Sequence, residues 1–168
     1  MLTVSCHCGE VRVEIIARPD YIHECNCSLC AKTGARWGYF GPDQVSVAGA
    51  TRGYVRVDKA DPAAEIQFCE RCGSTTHFVL TPSAVARFGN TMMGVNLRLA
   101  DESDLAGVEL RYPDGRAWSG EGEFGYVREA RVLGNSWRPN NLEILQRGRL
   151  APTSRALLVS ALRKPATS

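Results

Sequence analysis

Seven cysteines constrain this chain more than any other feature: Cys6, Cys8, Cys25, Cys27, Cys30, Cys69 and Cys72. An odd number cannot close into a complete set of disulfides within one chain. Their spacing is more informative than their number. Cys6-His7-Cys8 is a C-x-C pair, Cys25-Asn26-Cys27-Ser28-Leu29-Cys30 is C-x-C-x-x-C, and Cys69-Glu70-Arg71-Cys72-Gly73 is C-x-x-C-G. A two-residue turn between thiolates lets both sulfurs reach one metal at about 2.3 Å. Gly73 suits such a turn, which often needs the positive φ that glycine adopts without steric cost.

Zinc bound by sulfur takes four ligands in a tetrahedron. The C-x-C and C-x-x-C pairs, far apart in sequence, together supply four. The compact triplet Cys25, Cys27 and Cys30 then supplies three ligands and leaves one position open, which is the pattern of a catalytic zinc. The spacing also admits a plainer reading, one structural zinc with the remaining thiols free, and a metal-free chain is the third alternative.

At 44% hydrophobic residues, 168 residues can bury a sizeable core without needing metal merely to offset small size. No apolar run approaches the roughly 20 residues of a membrane span. Residues 1–5 lack a charged segment followed by an apolar one, so no signal peptide is expected. A cytoplasmic location, where thiols stay reduced, is the default expectation. The net charge of +2 is unevenly spread. Residues 1–134 carry 14 Lys and Arg against 17 Asp and Glu, whereas residues 135–168 carry 6 against 1. The body shows neither the basic patch nor the fold cues of a nucleic-acid reader.

Short extended segments dominate the body. Val11, Val13 and Ile15 alternate with Arg12 and Glu14, the signature of a half-buried strand. Further strands are expected over 37–40, 44–47, 53–57, 65–68, 75–80, 92–99 and 108–112. Gly41-Pro42, Gly49, Asp61-Pro62 and Gly73 punctuate them, and Pro113-Asp114-Gly115 reads as a turn. Helix is expected only over 28–32 and 101–105 in the body. The basic segment 135–168 reads as an extension with helical stretches at 141–147 and 154–162. It packs on the body, contacts a second subunit or stays mobile. The expected organisation is a mainly β zinc domain over 1–134 with a small helical C-terminal extension over 135–168.

Three segments carry a family resemblance: Ser5-Cys6-His7-Cys8-Gly9-Glu10-Val11, the run from Cys25 to Gly34, and Phe68-Cys69-Glu70-Arg71-Cys72-Gly73. In order and separation they resemble the glutathione-dependent formaldehyde-activating enzyme (GFA) family, which includes the centromere protein V-like domains. The resemblance covers roughly residues 3–120 and implies zinc-tied antiparallel sheets of the β-tent fold. It assigns Cys6, Cys8, Cys69 and Cys72 to a structural zinc, and Cys25, Cys27 and Cys30 to a catalytic zinc. This matches the division reached from spacing. Two positions depart from the family's pattern. Asn26 stands where relatives often have histidine, and Ala31 where they often have a basic residue. Neither removes a ligand, and both border the open site, so they bear on substrate identity.

The resemblance implies a carbon–sulfur lyase resembling S-(hydroxymethyl)glutathione synthase. Its partners would be a thiol such as glutathione and a small aldehyde, with no nucleic acid or membrane and with a homodimer among the allowed assemblies. The competing reading is a zinc-stabilised binding module without catalysis, and a third is a redox or metal-handling role for the triplet. Three thiolates on Zn²⁺ leave a net charge of −1, so nearby N–H donors or cations are expected to offset it. Lys32, Arg36 and Arg71 are candidates by proximity in sequence, and are read first as solvated surface positions. His23 is read as a structural histidine, with a fourth ligand or a donor to sulfur as the functional alternative. His7 and His77 are read as structural. Trp37, Tyr39 and Phe40 are read as core residues, with a pocket wall as the alternative.

Overall fold

The computed structural model describes residues 1–120 and 122–134. Its strands are β1 (Leu2–Ser5), β2 (Arg12–Ile15), β3 (Tyr21–His23), β4 (Trp37–Phe40), β5 (Val45–Ala48), β6 (Thr51–Val55), β7 (Ala64–Cys69), β8 (Thr75–Leu80), β9 (Met93–Asn96), β10 (Glu109–Arg111) and β11 (Arg131–Val132). Two short α-helices interrupt them, α1 (Ser28–Thr33) and α2 (Pro82–Phe88). The expected extension over 135–168 lies outside the described residues.

The strands form two sheets. The smaller has the order β1-β2-β5, antiparallel throughout. The larger has the order β11-β10-β3-β4-β9-β8-β7-β6. The expected mainly β, antiparallel architecture is present, with one addition: β3 and β10 run parallel. That pairing brings the segment after β10 alongside the segment after β3, which is the cysteine triplet.

Side-chain alternation explains where the cores lie. In β2, Val13 and Ile15 are buried while Arg12 and Glu14 face solvent. They meet Val4 from β1 and, across the gap between sheets, Ile22, Phe40, Val95, Leu97 and Leu110. Trp37 belongs instead to a second cluster with Ala35, Ile66 and Phe78, against which Tyr39 packs. Strand β4 therefore divides its aromatics, with Phe40 in the main core and Trp37 and Tyr39 on the face towards the triplet.

Four local expectations change. Strands β1, β3 and β11 were not expected; β1 is paired residue for residue with β2, so its place is set by that partner. Residues 101–105 were expected to be helical. They form successive three-residue turns instead, with the amides of Asp104, Leu105 and Ala106 bonded to the carbonyls of Asp101, Glu102 and Ser103. The extended segment expected to reach residue 99 ends at Asn96, whose side chain accepts from the Arg98 amide and starts a 3₁₀ turn over Leu97–Leu99. Helix α2 was missed, although Thr81 followed by Pro82 is a helix-start signal.

Thr81 holds that helix in place at both ends of its hydroxyl. The oxygen accepts from the Ala84 amide at 3.2 Å and donates to the Pro62 carbonyl at 2.8 Å. Thr81→Ala should lower stability by about 1–2 kcal/mol, the range for losing a helix cap, and Thr81→Ser should restore most of it. A thermal melt reads both. Equal Tm values for the parent and Thr81→Ala would show that the cap does not hold α2.

Candidate metal centres and the adjoining cavity

The four-sulfur cluster is assembled by two hairpin-like turns. The first follows β1, where the Cys6 amide donates to the Val11 carbonyl at 2.9 Å and the Gly9 amide to the Cys6 carbonyl at 3.0 Å. The second joins β7 to β8, where the Cys69 amide donates to the Ser74 carbonyl at 2.9 Å and Gly73 takes a positive φ of 72°. The His7 amide donates to Ser74 Oγ at 3.3 Å, which links the two turns directly. His7 itself is exposed, as expected of a residue between two inward-facing thiols.

All four Sγ atoms lie within 4.8 Å of one another. Cys6 and Cys8 sulfurs are 3.6 Å apart, and Cys8 and Cys69 sulfurs 3.7 Å apart. Disulfide sulfurs would be about 2 Å apart, so these are free thiols in van der Waals contact. Tetrahedral bonds of about 2.3 Å place ligand sulfurs roughly 3.8 Å apart, so the donor set fits zinc. The proton affinities diverge as expected of sulfurs sharing charge. The backbone N–H of Glu10 favours the Cys8 thiolate, yet burial and three neighbouring sulfurs outweigh it and push the thiol up to about 12. Cys72, beside the hydroxyl and amide of Ser74, falls to about 5.

The triplet lies at the start of α1. Cys27 caps that helix, its sulfur accepting the Cys30 amide at 3.4 Å, and Gly34 closes the other end. The Cys27 amide donates to Cys25 Sγ at 3.4 Å. The three sulfurs lie within 4.8 Å of one another, and among the described residues no fourth His, Cys, Asp or Glu atom joins the group. Hydrogen bonds from Cys25 and Cys30 hold Cys27 far below the ordinary thiol range, while Cys25 and Cys27 push Cys30 far above it.

The charge-offsetting donors are not the ones nearest in sequence. Arg36 is committed to Glu24 at 2.6 Å and to Glu102 at 3.0 Å. Arg71 pairs with Glu10 beside the other cluster, and Lys32 lies exposed on a neighbouring groove. The Trp37 indole N–H donates to Cys30 Sγ at 3.3 Å. Arg56 lies beside Cys27 and anchors itself on Asp58 at 2.7 and 2.6 Å. The same bonds lower the Asp58 carboxyl to about 2. Nothing near Cys27 in sequence signals Arg56. It arrives from the end of β6 through the Arg56–Asp58–Ser28 contacts.

Glu24 is the centre of a cationic cluster behind the triplet. Burial would raise its pKa, but Arg36, Arg98 and Arg128 outweigh that and hold the carboxyl below its usual range. Asn26 has a structural task. Its side chain donates to Asp114 Oδ1 at 2.8 Å and accepts from the Arg116 amide at 3.0 Å. It thereby clips the expected turn at 113–115 against the triplet. The approach is so close that a Cβ on Gly115 would collide with Cys25 Sγ. Gly115 was legible as a turn residue but not as a neighbour of the site.

His23 is not part of the sulfur group. Its Nδ1 lies 3.1 Å from the Tyr39 hydroxyl, and burial pushes its pKa down to about 4. Its Nε2 is buried without a hydrogen-bond partner among the described residues. His77 is buried beside Thr76, 3.0 Å from its hydroxyl, and is structural as expected.

A cavity of about 660 Å³ opens on the triplet, with all three cysteines in its wall. Trp37 and Tyr39 line it while also packing in or against the second core cluster, so these two residues are both core and pocket wall. Phe78, Trp118 and Phe124 line it as well. A separate groove of about 730 Å³ runs alongside, lined by Ser28, Lys32, Thr33, Ser74 and Thr75, and shares Leu29, Arg56 and Ile66 with the cavity.

A protein from Halomonas elongata, provisionally named glutathione-dependent formaldehyde-activating enzyme, is 34% identical over 83 residues. The match covers 44% of this chain and 53% of that protein, so the chain spans about half the length of the curated relative. A crystal structure of a Rhodobacter sphaeroides protein matches at 26% identity and a TM-score of 0.49, covering 64% of this chain and 97% of the other. The family model described as glutathione-dependent formaldehyde-activating enzyme matches residues 1–106. With that match extending over most of its length, the chain belongs to the glutathione-dependent formaldehyde-activating enzyme family.

Proposed function

We propose that this protein is a zinc-dependent enzyme of the carbon–sulfur lyase type that forms and breaks the bond between a thiol and a small carbonyl compound. In this reading Cys6, Cys8, Cys69 and Cys72 hold a structural zinc, and Cys25, Cys27 and Cys30 hold a catalytic one. The leading thiol is glutathione and the leading aldehyde formaldehyde, as the names of the family and the relative suggest. The reducing cytoplasm suits a chain that needs free thiols. The observation that carries the proposal is the contrast between a closed four-sulfur cluster and a three-sulfur cluster forming the wall of a cavity.

A bound zinc at the triplet would supply an acidified incoming thiol or a polarised carbonyl oxygen. The protein's own contribution is placement and charge. The Trp37 indole and the amides of Cys27 and Cys30 donate to the sulfurs and fix their orientation. Arg56 sets positive charge beside Cys27, which offsets the surplus negative charge of three thiolates. The cavity walls surround the triplet with mainly apolar side chains, Trp37, Tyr39 and Phe78 among them. In the addition, the S–C bond forms as the carbonyl π bond breaks, and the thiol's proton ends on the carbonyl oxygen. No electrons are exchanged with a third party.

Two experiments test the assignment. Cys69→Ala should leave the chain largely unfolded or aggregated, because structural metal binding is coupled to folding. Cys30→Ala should remain folded by circular dichroism and lose one of two zinc ions. Equal damage from both would show that the division into structural and catalytic centres is wrong. In the second, cobalt-substituted protein is titrated with glutathione to millimolar concentration. The triplet's absorption bands should shift in the parent and stay unchanged in Cys27→Ser. An unperturbed spectrum in the parent would exclude glutathione as the thiol and favour a binding module.

A further inference from the structure

The cavity beside the triplet is much larger than formaldehyde requires. Its volume, about 660 Å³, is typical of sites that enclose drug-sized ligands. A carbonyl compound of two heavy atoms would fill about a tenth of it, if each atom takes roughly the 30 Å³ of a water molecule in the liquid.

The walls favour an apolar ring. Trp37 and Phe78 meet edge to face at 5.1 Å, and Tyr39 meets Phe78 at 6.2 Å. Trp118 packs on Phe124 at 4.4 Å on another part of the lining. Such surfaces bind a flat apolar group by offset and edge-on contacts. Most charged groups of the lining are already engaged. Arg56 is held by Asp58 beside Cys27, Arg87 pairs with Asp61 at 2.9 Å, and Lys59 lines the cavity in an exposed position.

A charged, peptide-like thiol has a more suitable place. The neighbouring groove presents Lys32 and several hydroxyls, and it joins the cavity at Leu29, Arg56 and Ile66. His23 is a wall residue, and its Nε2 is buried without a hydrogen-bond partner among the described residues.

We propose that the cavity recognises an uncharged ligand with an aromatic or comparably bulky apolar group. This rests on the thiol–carbonyl reading, in which that ligand is the aldehyde and the product its hemithioacetal with the thiol.

The test uses the zinc-loaded full chain with glutathione and two aldehydes, formaldehyde and phenylacetaldehyde, with adduct formation followed by exchange NMR. The expected kcat/KM is at least about tenfold higher for phenylacetaldehyde, the lower bound for even a single methylene group in an apolar pocket. In parallel, saturation transfer from the protein to the ring protons of 2-phenylethanol reads binding without chemistry. Ala63 lines the cavity in an exposed position, so Ala63→Phe fills space without disturbing the core. It should abolish the transfer while zinc content and circular dichroism match the parent. Preference for formaldehyde, or saturation transfer that is absent or unaffected by Ala63→Phe, would overturn the inference. If neither aldehyde is accelerated but the ring still binds in an Ala63-dependent way, the thiol–carbonyl reading falls and the ligand class stands.

Discussion

Four sulfurs from two distant turns meet within 4.8 Å, and the arrangement of both sheets depends on that meeting. Cys6 and Cys8 sit between β1 and β2 of the small sheet. Cys69 ends β7 and Cys72 lies in the turn to β8, near the β6 edge of the large one. Closing a loop of some sixty residues costs chain entropy that a single hydrogen bond such as His7 to Ser74 does not offset. Four thiolates without a cation repel one another, so the cluster is a coherent structural element only with protons or metal to balance it. Its spacing fits zinc and its two turns orient it. The core of Val4, Val13, Ile22, Phe40 and Val95 then fills the space between the sheets.

The triplet depends on that frame without being part of it. Its helix contributes no buried residue to the main core. What holds it is a ring of polar contacts: Asn26 to the 113–116 turn, Arg56 to Asp58 and Ser28, and Trp37 to Cys30. The parallel pairing of β3 with β10 aligns the two chain segments that meet there. A site with few buried apolar contacts and many side-chain hydrogen bonds sits at the low-stability end of a fold, where ligand-binding elements are commonly found. That placement suits three sulfurs facing a cavity.

Much of this was legible in the sequence because cysteine spacing and strand alternation are local signals. The separate clustering of four and three cysteines follows from C-x-C, C-x-x-C and C-x-C-x-x-C, each closed by a short turn. The alternation of Val11, Val13 and Ile15 located β2 and its buried face. Signals that depend on distant partners were not readable. Strand β1 is defined by its pairing with β2, and Arg56 reaches Cys27 only after β6 and α1 have been brought together. Arg36 looked suited to the triplet by proximity, yet Glu24 and Glu102 occupy it. Asn26 looked like a determinant of substrate choice, and its hydrogen bonds show a clip for the neighbouring turn.

The central claim is that seven thiols divide into a closed centre and an open one. Zinc K-edge absorption on the intact protein tests it directly. The account predicts two zinc ions per chain with an average of about 3.5 sulfurs each, the mean of a four-thiolate and a three-thiolate centre, at about 2.3 Å, and with a lighter scatterer completing the shell. A single zinc per chain surrounded by four sulfurs, with the triplet thiols free to react with a thiol reagent, would contradict it.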